Sequence, residues 1–251
     1  MDLSVKVLDP DNVEFPDVTE AHTNHDGLVA VGGDLQPQRL LAAYRRGIFP
    51  WYGDNLPIMW WSFPLRMVLL PNALKISRSL KKTLRNKIYE VTVNYAFDQV
   101  ISACAKIERP GQNGRWLVPE MQAAYRKLHQ QGNACSFECW YYDESGHKFL
   151  AGGLYGVVLG RIFYGESMFA HATDASKIAF VHAVHFLQQQ GVPLIDCQVY
   201  SEHLASLGAG EIPHAEFMHY LQQYNSQLLP EPLQPKILAS NATVSNTRNV
   251  S

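Results

Sequence analysis

The sequence predicts a layered domain of mixed strands and helices, α/β or α+β, preceded by a smaller N-terminal α/β unit. Three observations carry this. Short apolar, strand-like runs interleave with helix-like runs from about residue 65 onward. The first 64 residues differ in character, being rich in Gly, Pro and aromatics. The chain has 251 residues and is 47% apolar, enough for one large core or two smaller ones. The expected division is 1–64 for the small domain, 65–230 for the larger one and 231–251 for a polar tail that frays.

Taken in order, "GLVAVGGDL" (Gly27–Leu35) is a short apolar run ending in a Gly-Gly turn. Asp34 then caps a helix with Pro37 in its first turn and "RLLAAYRRG" as its body, and Gly47 stops it. "PIMWWSFPLRMVLLP" carries Trp60 and Trp61, which as neighbours on a strand face opposite ways. "ISRSLKKTLRN" reads as a basic helix and "YEVTVNY" as a strand. "FDQVISACAKI" and "PEMQAAYRKLHQQG" are helices by their apolar spacing. Three strands follow, "CSFECWYY", "FLAGGLYGVVLG" and "RIFYGESMF". A helix, "DASKIAFVHAVHFLQQQG", is capped by Thr173 or Asp174 and stopped by Gly191. "PLIDCQVY" is a strand, and "PHAEFMHYLQQY" a last helix.

A formal net charge of -2 does not mark a nucleic-acid binder, but local charge does. Between Lys75 and Lys87 the six basic residues Lys75, Arg78, Lys81, Lys82, Arg85 and Lys87 meet no acidic one. Such a run is either a solvated face or a patch for a polyanion. Neither a membrane-spanning run nor a signal peptide is visible, so the expectation is a cytoplasmic protein with reduced cysteines and no membrane partner. Cys135 and Cys139 lie four strand residues apart, about 13 Å, too far to share one metal ion. They read as buried thiols. His182 and His185 are three apart on a helix with no Glu in a matching slot, so neither a metal nor any other cofactor is expected.

The polar residues on apolar strands are the chemical candidates. In "LIDCQVY", Asp196 and Gln198 are two apart, which on a strand places them on one face about 6.5 Å apart. Glu166 and Ser167 interrupt "FYGESMF" in the same way. Buried polar groups need donors or a cavity. Trp51 and Trp116 lie on loops, each near an arginine, an arrangement suited to stacking a flat ligand. No nucleophile elbow, Walker A loop or dinucleotide glycine fingerprint is present.

Taken together, "GLVAVGGDLQPQRLLAAYRRGIFPWY", "PIMWWSFPLR", "ISRSLKK", "VNYAFDQVI", "GGLYGV", "GESMF", "ASKIA", "LIDCQV" and "HLASLGAGEIP" resemble the bacterial leucyl/phenylalanyl-tRNA–protein transferases, from about Phe15 to Pro213. The resemblance implies a GNAT-like (acetyltransferase-like) larger domain that uses aminoacyl-tRNA. It implies transfer of leucine or phenylalanine, with methionine a third candidate, to proteins beginning with Arg or Lys, feeding N-end-rule degradation. A monomer without cofactor is expected.

The resemblance also implies residue roles. Tyr44, Trp51, Trp116 and Tyr125 would surround the terminal adenosine. Leu154, Phe163, Met168, Phe180 and Ile195 would form the aminoacyl side-chain pocket. Leu154 stands where the family usually has methionine, and Ala183 and Leu187 replace aromatics, which would leave the pocket roomier. The stripe Lys75, Arg78, Lys81, Lys82, Arg85, Lys87 would suit acceptor-stem phosphates. Gln198 would accept a hydrogen bond from the attacking amine, Asp196 would polarise Gln198, and Glu166 would hold the acceptor's cationic end. An acyl-CoA N-acetyltransferase would need a Gly-rich pyrophosphate loop, which is missing. A non-enzymatic tRNA-binding module leaves Asp196, Gln198 and Glu166 unexplained.

Overall fold

The computed structural model describes residues 5–24, 26–107 and 117–241. It is an α+β protein with two sheets. The first, of four strands in the order β1-β2-β4-β3, comprises β1 (Lys6–Leu8), β2 (Leu28–Gly32), β3 (Phe49–Pro50) and β4 (Met59–Trp61). Helices α1 (Thr19–Asn24) and α2 (Pro37–Arg45) connect them. Trp60 is fully buried and Trp61 half-buried, as alternation requires.

Asp34 does not cap α2. It lies two residues before the capping position, Gln36, whose N–H donates to its carboxylate at 2.7 Å. The same carboxylate pairs with the buried Arg39 at 3.1 Å. Arg39 also donates to the carbonyls of Asp9, Pro10 and Asn12, and so ties the N-terminal segment down.

The second sheet has eight strands in the order β11-β5-β10-β9-β8-β7-β6-β12. Its strands are β5 (Leu65–Leu69), β6 (Glu90–Val93), β7 (Ala134–Tyr142), β8 (Lys148–Leu159), β9 (Ile162–Ala170), β10 (Leu194–Asp196), β11 (Gly210–Pro213) and β12 (Lys236–Ser240). Among the described residues β9 and β10 form its one parallel pair. The helices are α3 (Arg78–Asn86), α4 (Phe97–Lys106), α5 (Pro119–Gln130), α6 (Ala175–Gln189), α7 (Glu202–Ser206) and α8 (His214–Tyr224).

Each face of the large sheet is covered. One core joins the small sheet, α2, α4, α5 and α8 to residues such as Tyr155 and Tyr164. The other lies under α3, α6 and α7. The small sheet ends at Trp61 and the large one begins at Leu65, yet the first core runs through both. Cys135 and Cys139 are free thiols in the second core. Alpha6 lies close on β8 because Gly152 has no side chain: a Cβ there would meet the Ser176 amide nitrogen at 2.7 Å. No described helix is long and apolar enough to cross a membrane.

Three further expectations fail. The last segment is not all a frayed tail. Lys236–Ser240 pairs antiparallel with β6 and completes that edge. Asn241 then clamps it, accepting from the Tyr89 N–H and donating to the Lys87 carbonyl, both at 2.8 Å. Asp174 stands at the start of α6 with φ 62°, but its side chain does not cap the helix. It instead accepts from Thr83 on α3 and pairs with Lys177. Finally, β10 stops at Asp196 and does not run on through Gln198, with consequences described next.

Candidate functional site

The parallel pair β9/β10 opens at one end. Its register runs Leu194–Ile162, Ile195–Phe163 and Asp196–Tyr164, and then both strands leave the ladder. Beta10 turns off at Gln198, whose φ is 56°, a left-handed conformation uncommon outside glycine. Beta9 bulges: Gly165 faces Gly156 and Ser167 faces Tyr155, leaving Glu166 as the extra residue. Bulges re-aim side chains. The result is a gap with Glu166 on one lip and Gln198 on the other.

Glu166 meets two buried phenols. Tyr44 and Tyr125 each donate to one carboxylate oxygen at 2.7 Å, and their own oxygens are 2.8 Å apart. With Glu166 ionised, two phenol protons serve three contacts; with Glu166 protonated, three protons serve three. Burial accordingly pushes the Glu166 carboxyl up to about 7, against the lowering effect of the two tyrosine bonds, and Asp196 adds to the rise. Burial, then the charge of Glu166, raises both phenols. Glu166 keeps part of its surface open.

Tyr44 and Tyr125 themselves are 0% exposed. Their rings are enclosed, and their hydroxyls donate to Glu166. Here the apolar faces of α2 and α5 turn both tyrosines into the core.

Asp196 is also 0% exposed, and its partner is Arg66. The Arg66 Nε donates to Oδ1 at 2.8 Å and Nη2 to Oδ2 at 2.7 Å, a bidentate pair. The third guanidinium nitrogen donates to the Gly47 carbonyl at 3.0 Å. The rings of Phe49 and Phe217 lie 4.7 and 4.8 Å from the guanidinium carbon. Asp196 Oδ1 also accepts the Gln198 backbone N–H at 2.9 Å.

The pairing read from strand alternation is therefore wrong in form. Asp196 does not touch the Gln198 amide side chain. It holds the Gln198 backbone, because the left-handed turn at Gln198 breaks the period of two. The Gln198 side-chain nitrogen is buried and has no partner among the described residues. Arg66 does not stand out in the sequence until the rule that draws attention to Asp196, a charge on an apolar strand, is applied equally to "LRMVLL".

The pocket candidates Leu154, Phe163, Phe180 and Ile195, with Met168 against them, gather in the core under α6. Phe163 and Ile195 are register partners and the last α6-facing pair before the strands part. The cluster thus lies beneath the gap, on the opposite face from Asp196 and the tyrosines. Ala183 and Leu187 are buried in the same cluster.

Trp51 is half-buried and packs edge-on to Trp61, whose indole N–H donates to the Trp51 carbonyl at 2.6 Å. Trp61 in turn stacks on Phe63. A cleft of about 950 Å³ opens between the segment Tyr52–Ile58 and the start of α5; Trp51 directly precedes that segment but does not line the cleft. Trp116 lies outside the described residues.

The basic run forms α3, capped by Ser77, which accepts from the Leu80 N–H at 3.1 Å. Lys75, Arg78, Lys81, Lys82, Arg85 and Lys87 are all exposed. Among the described residues none of them pairs with a carboxylate; Lys87 lies over the Tyr141 ring at 4.6 Å. The Thr83–Asp174 bond fastens α3 beside the start of α6.

These groups hold and orient. Gln198 is neutral, Asp196 is locked in an ion pair, and Glu166 titrates near neutrality. Such a site suits an acyl group that arrives already activated and an amine that attacks it. That defines a class, an acyltransferase that works by juxtaposing two substrates. The pattern of the family "Leucyl/phenylalanyl-tRNA protein transferase" matches residues 68–222, and that of its N-terminal domain matches residues 33–62. The leucyl/phenylalanyl-tRNA–protein transferase of Chromobacterium violaceum is 56% identical over 86% of this chain and 90% of its own. That of Neisseria meningitidis serogroup B is 51% identical over 92% of this chain and 96% of its own. The chain belongs to the leucyl/phenylalanyl-tRNA–protein transferase family.

Two outcomes follow from this geometry. Asp196→Asn leaves Arg66 buried without its counter-charge, and should cost about 3–5 kcal/mol in urea unfolding. A cost under about 1 kcal/mol would mean that the pair is not buried as described. Glu166, with its carboxyl pushed up to about 7, gains its charge as pH rises through neutrality. The kcat/KM for transfer should therefore rise with pH through an inflection near 7. Glu166→Gln should remove that inflection and lower kcat/KM about ten- to a hundredfold, the size of one charge-assisted hydrogen bond. A Gln variant that keeps the inflection would assign it to another group.

Proposed function

We propose that the enzyme moves leucine or phenylalanine, with methionine as a third donor, from aminoacyl-tRNA to the N-terminal Arg or Lys of proteins. The product is marked for N-end-rule degradation in the cytoplasm. The observation that carries this reading is the gap itself: an apolar cluster beneath it, a titratable carboxylate on one lip and an unpartnered amide on the other. The larger sheet is taken as the GNAT-like catalytic part, acting as a monomer.

The amino acid's side chain would enter the cluster of Leu154, Phe163, Met168, Phe180 and Ile195. Its own ammonium would then stand at Glu166, which is largely enclosed by Tyr44 and Tyr125. This moves the acceptor's cationic end away from Glu166. The acceptor's α-amine, with a pKa near 8, is partly neutral at cytosolic pH. It attacks the ester carbonyl carbon: the new C–N bond forms, the C–O bond to the ribose breaks, and the amine proton leaves with the ribose oxygen. The Gln198 amide would orient that amine, and Asp196 with Arg66 would keep Gln198 in place. Holding both substrates supplies the acceleration. Trp51, with Trp116, would stack the terminal adenosine, worth about 1–3 kcal/mol per base. The stripe from Lys75 to Lys87 would follow the acceptor-stem phosphates.

The test is incubation with radiolabelled leucyl-tRNA and an Arg-starting peptide, with acetyl-CoA offered in parallel as a competing donor. Label should appear at the peptide N-terminus from tRNA alone. Acetylation without aminoacyl transfer would overturn the reading.

Charge reversal of Lys81 and Lys82 should weaken binding of charged tRNA. It should also reduce the slope of log K against log salt by about 0.7–0.9 for each phosphate no longer neutralised. An unchanged slope would make α3 an ordinary solvated face.

A further inference from the structure

Helix α3 turns its charges outward and a hydroxyl inward. Leu80, Thr83 and Leu84, at helical spacings of three and four, share its inner side. Leu80 is buried in the core under α6, and Leu84 packs against that core. Lys81, Lys82 and Arg85 stay exposed. We infer that Thr83, acting through Asp174, is a positioning residue that sets the tRNA stem in register with the aminoacyl pocket. This rests on the proposed function and deepens it.

Asp174 is the unusual partner. It holds the capping position of α6 with φ 62° and ψ -2°, a left-handed conformation, and its side chain makes no cap bond. An aspartate at a helix start ordinarily accepts from N–H groups of the first turn. Here one carboxylate oxygen accepts from the Thr83 hydroxyl at 2.9 Å, and the other pairs with Lys177 at 3.4 Å. The residue thus adopts an uncommon conformation and forgoes a cap, and the bond across to α3 is what the arrangement achieves.

A second tie reaches the same loop. Lys87, at the end of the basic run, lies over the Tyr141 ring at 4.6 Å, and the Tyr141 hydroxyl donates to the Thr173 carbonyl at 2.9 Å. Just past α3, the Tyr89 hydroxyl meets His182 Nε2 on α6 at 3.1 Å. The inner side of the loop is fixed to β8: the N–H groups of His171 and Ala172 both donate to the Ala151 carbonyl, at 2.8 and 3.1 Å. This loop, residues 171–174, joins β9 to α6. Beta9 carries Glu166 and Met168, and α6 carries Phe180. Alpha3 therefore grips the turn between the element with the carboxylate lip and the element that covers the apolar cluster.

Charge alone cannot set such a register. Six long cationic side chains can follow a phosphate backbone while tolerating displacement along it. A fixed tie between their helix and the pocket turns stem binding into placement of the ester, so that remote binding energy is realised at the reacting carbon.

The experiment compares two donors, leucyl-tRNA and 3′-O-leucyl-adenosine, which keeps the ester and the last nucleoside but has no stem. An Arg-starting peptide is the acceptor. Wild type should use leucyl-tRNA more efficiently. Thr83→Val, which keeps shape and removes the hydroxyl, should lower kcat with leucyl-tRNA about tenfold. It should leave KM for leucyl-tRNA, its salt slope and the leucyl-adenosine reaction within about twofold, because the charges of α3 and the pocket are untouched. Asp174→Gly, which keeps the left-handed backbone and removes the carboxylate, should show the same split. The unchanged leucyl-adenosine reaction shows that each variant is folded. Variants that keep wild-type kcat on leucyl-tRNA, or that lose equally on both donors, overturn the positioning role alone. A wild type that uses both donors equally overturns that role and the stem contact of α3, but leaves the transfer reaction. A wild type that transfers leucine from neither donor overturns the proposed function as well.

Discussion

The buried pair Arg66–Asp196 is the constraint on which the rest is built. Two charges are withdrawn from water, a state tolerated only when the geometry satisfies both. Here it does: two bonds join them, Gly47 takes a third guanidinium N–H, and two aromatic rings cover the faces. Those partners come from four places in the chain. Gly47 and Phe49 belong to the small sheet and its approach, Arg66 to β5, Asp196 to β10 and Phe217 to α8. One ion pair therefore locks the small sheet, the last long helix and the end of β10 to a common point. The spare capacity of Asp196 takes the Gln198 backbone N–H, which stabilises a left-handed residue that would otherwise cost about 1–3 kcal/mol.

The opposite lip is built on the opposite electrostatic logic. Asp196 faces a cation, Arg66. Among the described residues Glu166 pairs with no cation, only with two phenols, and burial pushes its carboxyl up to about 7. A carboxylate kept short of a counter-charge is prepared to receive one from a ligand. The two carboxylates sit on adjacent strands, yet one is paired with a cation and the other only with phenols. Their partners decide this, not their positions on the sheet.

Much of this was legible in the sequence. Most of the longer strands and helices show in apolar spacing, and some in a Gly stop, as "PEMQAAYRKLHQQG" and Gly132 illustrate. Asp196, Gln198 and Glu166 stand out as polar residues in apolar runs. What could not be read is contact between distant segments. Arg66 and Asp196 are 130 residues apart, and neither names the other. The bulge at Glu166 and the turn at Gln198 depend on where pairing stops, which a period of two cannot show. Burial of Tyr44 and Tyr125 follows from helix packing across both sheets. "KILAS" became a strand because β6 had an open edge, not because its composition demanded it.

The parted strands also explain why the pocket candidates lie on the face away from the acidic groups. In a closed parallel pair, residues above and below the sheet cannot share a ligand. The β9/β10 ladder ends at Tyr164 and Asp196. On the proposed reading a ligand would enter there and would meet Glu166 and Gln198 at the level of the backbone and Phe163 and Ile195 beneath. Ile195, which alternation points away from Asp196, then needs no exception. The same alternation that buries Asp196 against Arg66 turns Ile195 into the apolar cluster. On the proposed reading, polar chemistry and side-chain selection would fall to the two faces of a single strand, and the gap would be the place where both act on one molecule.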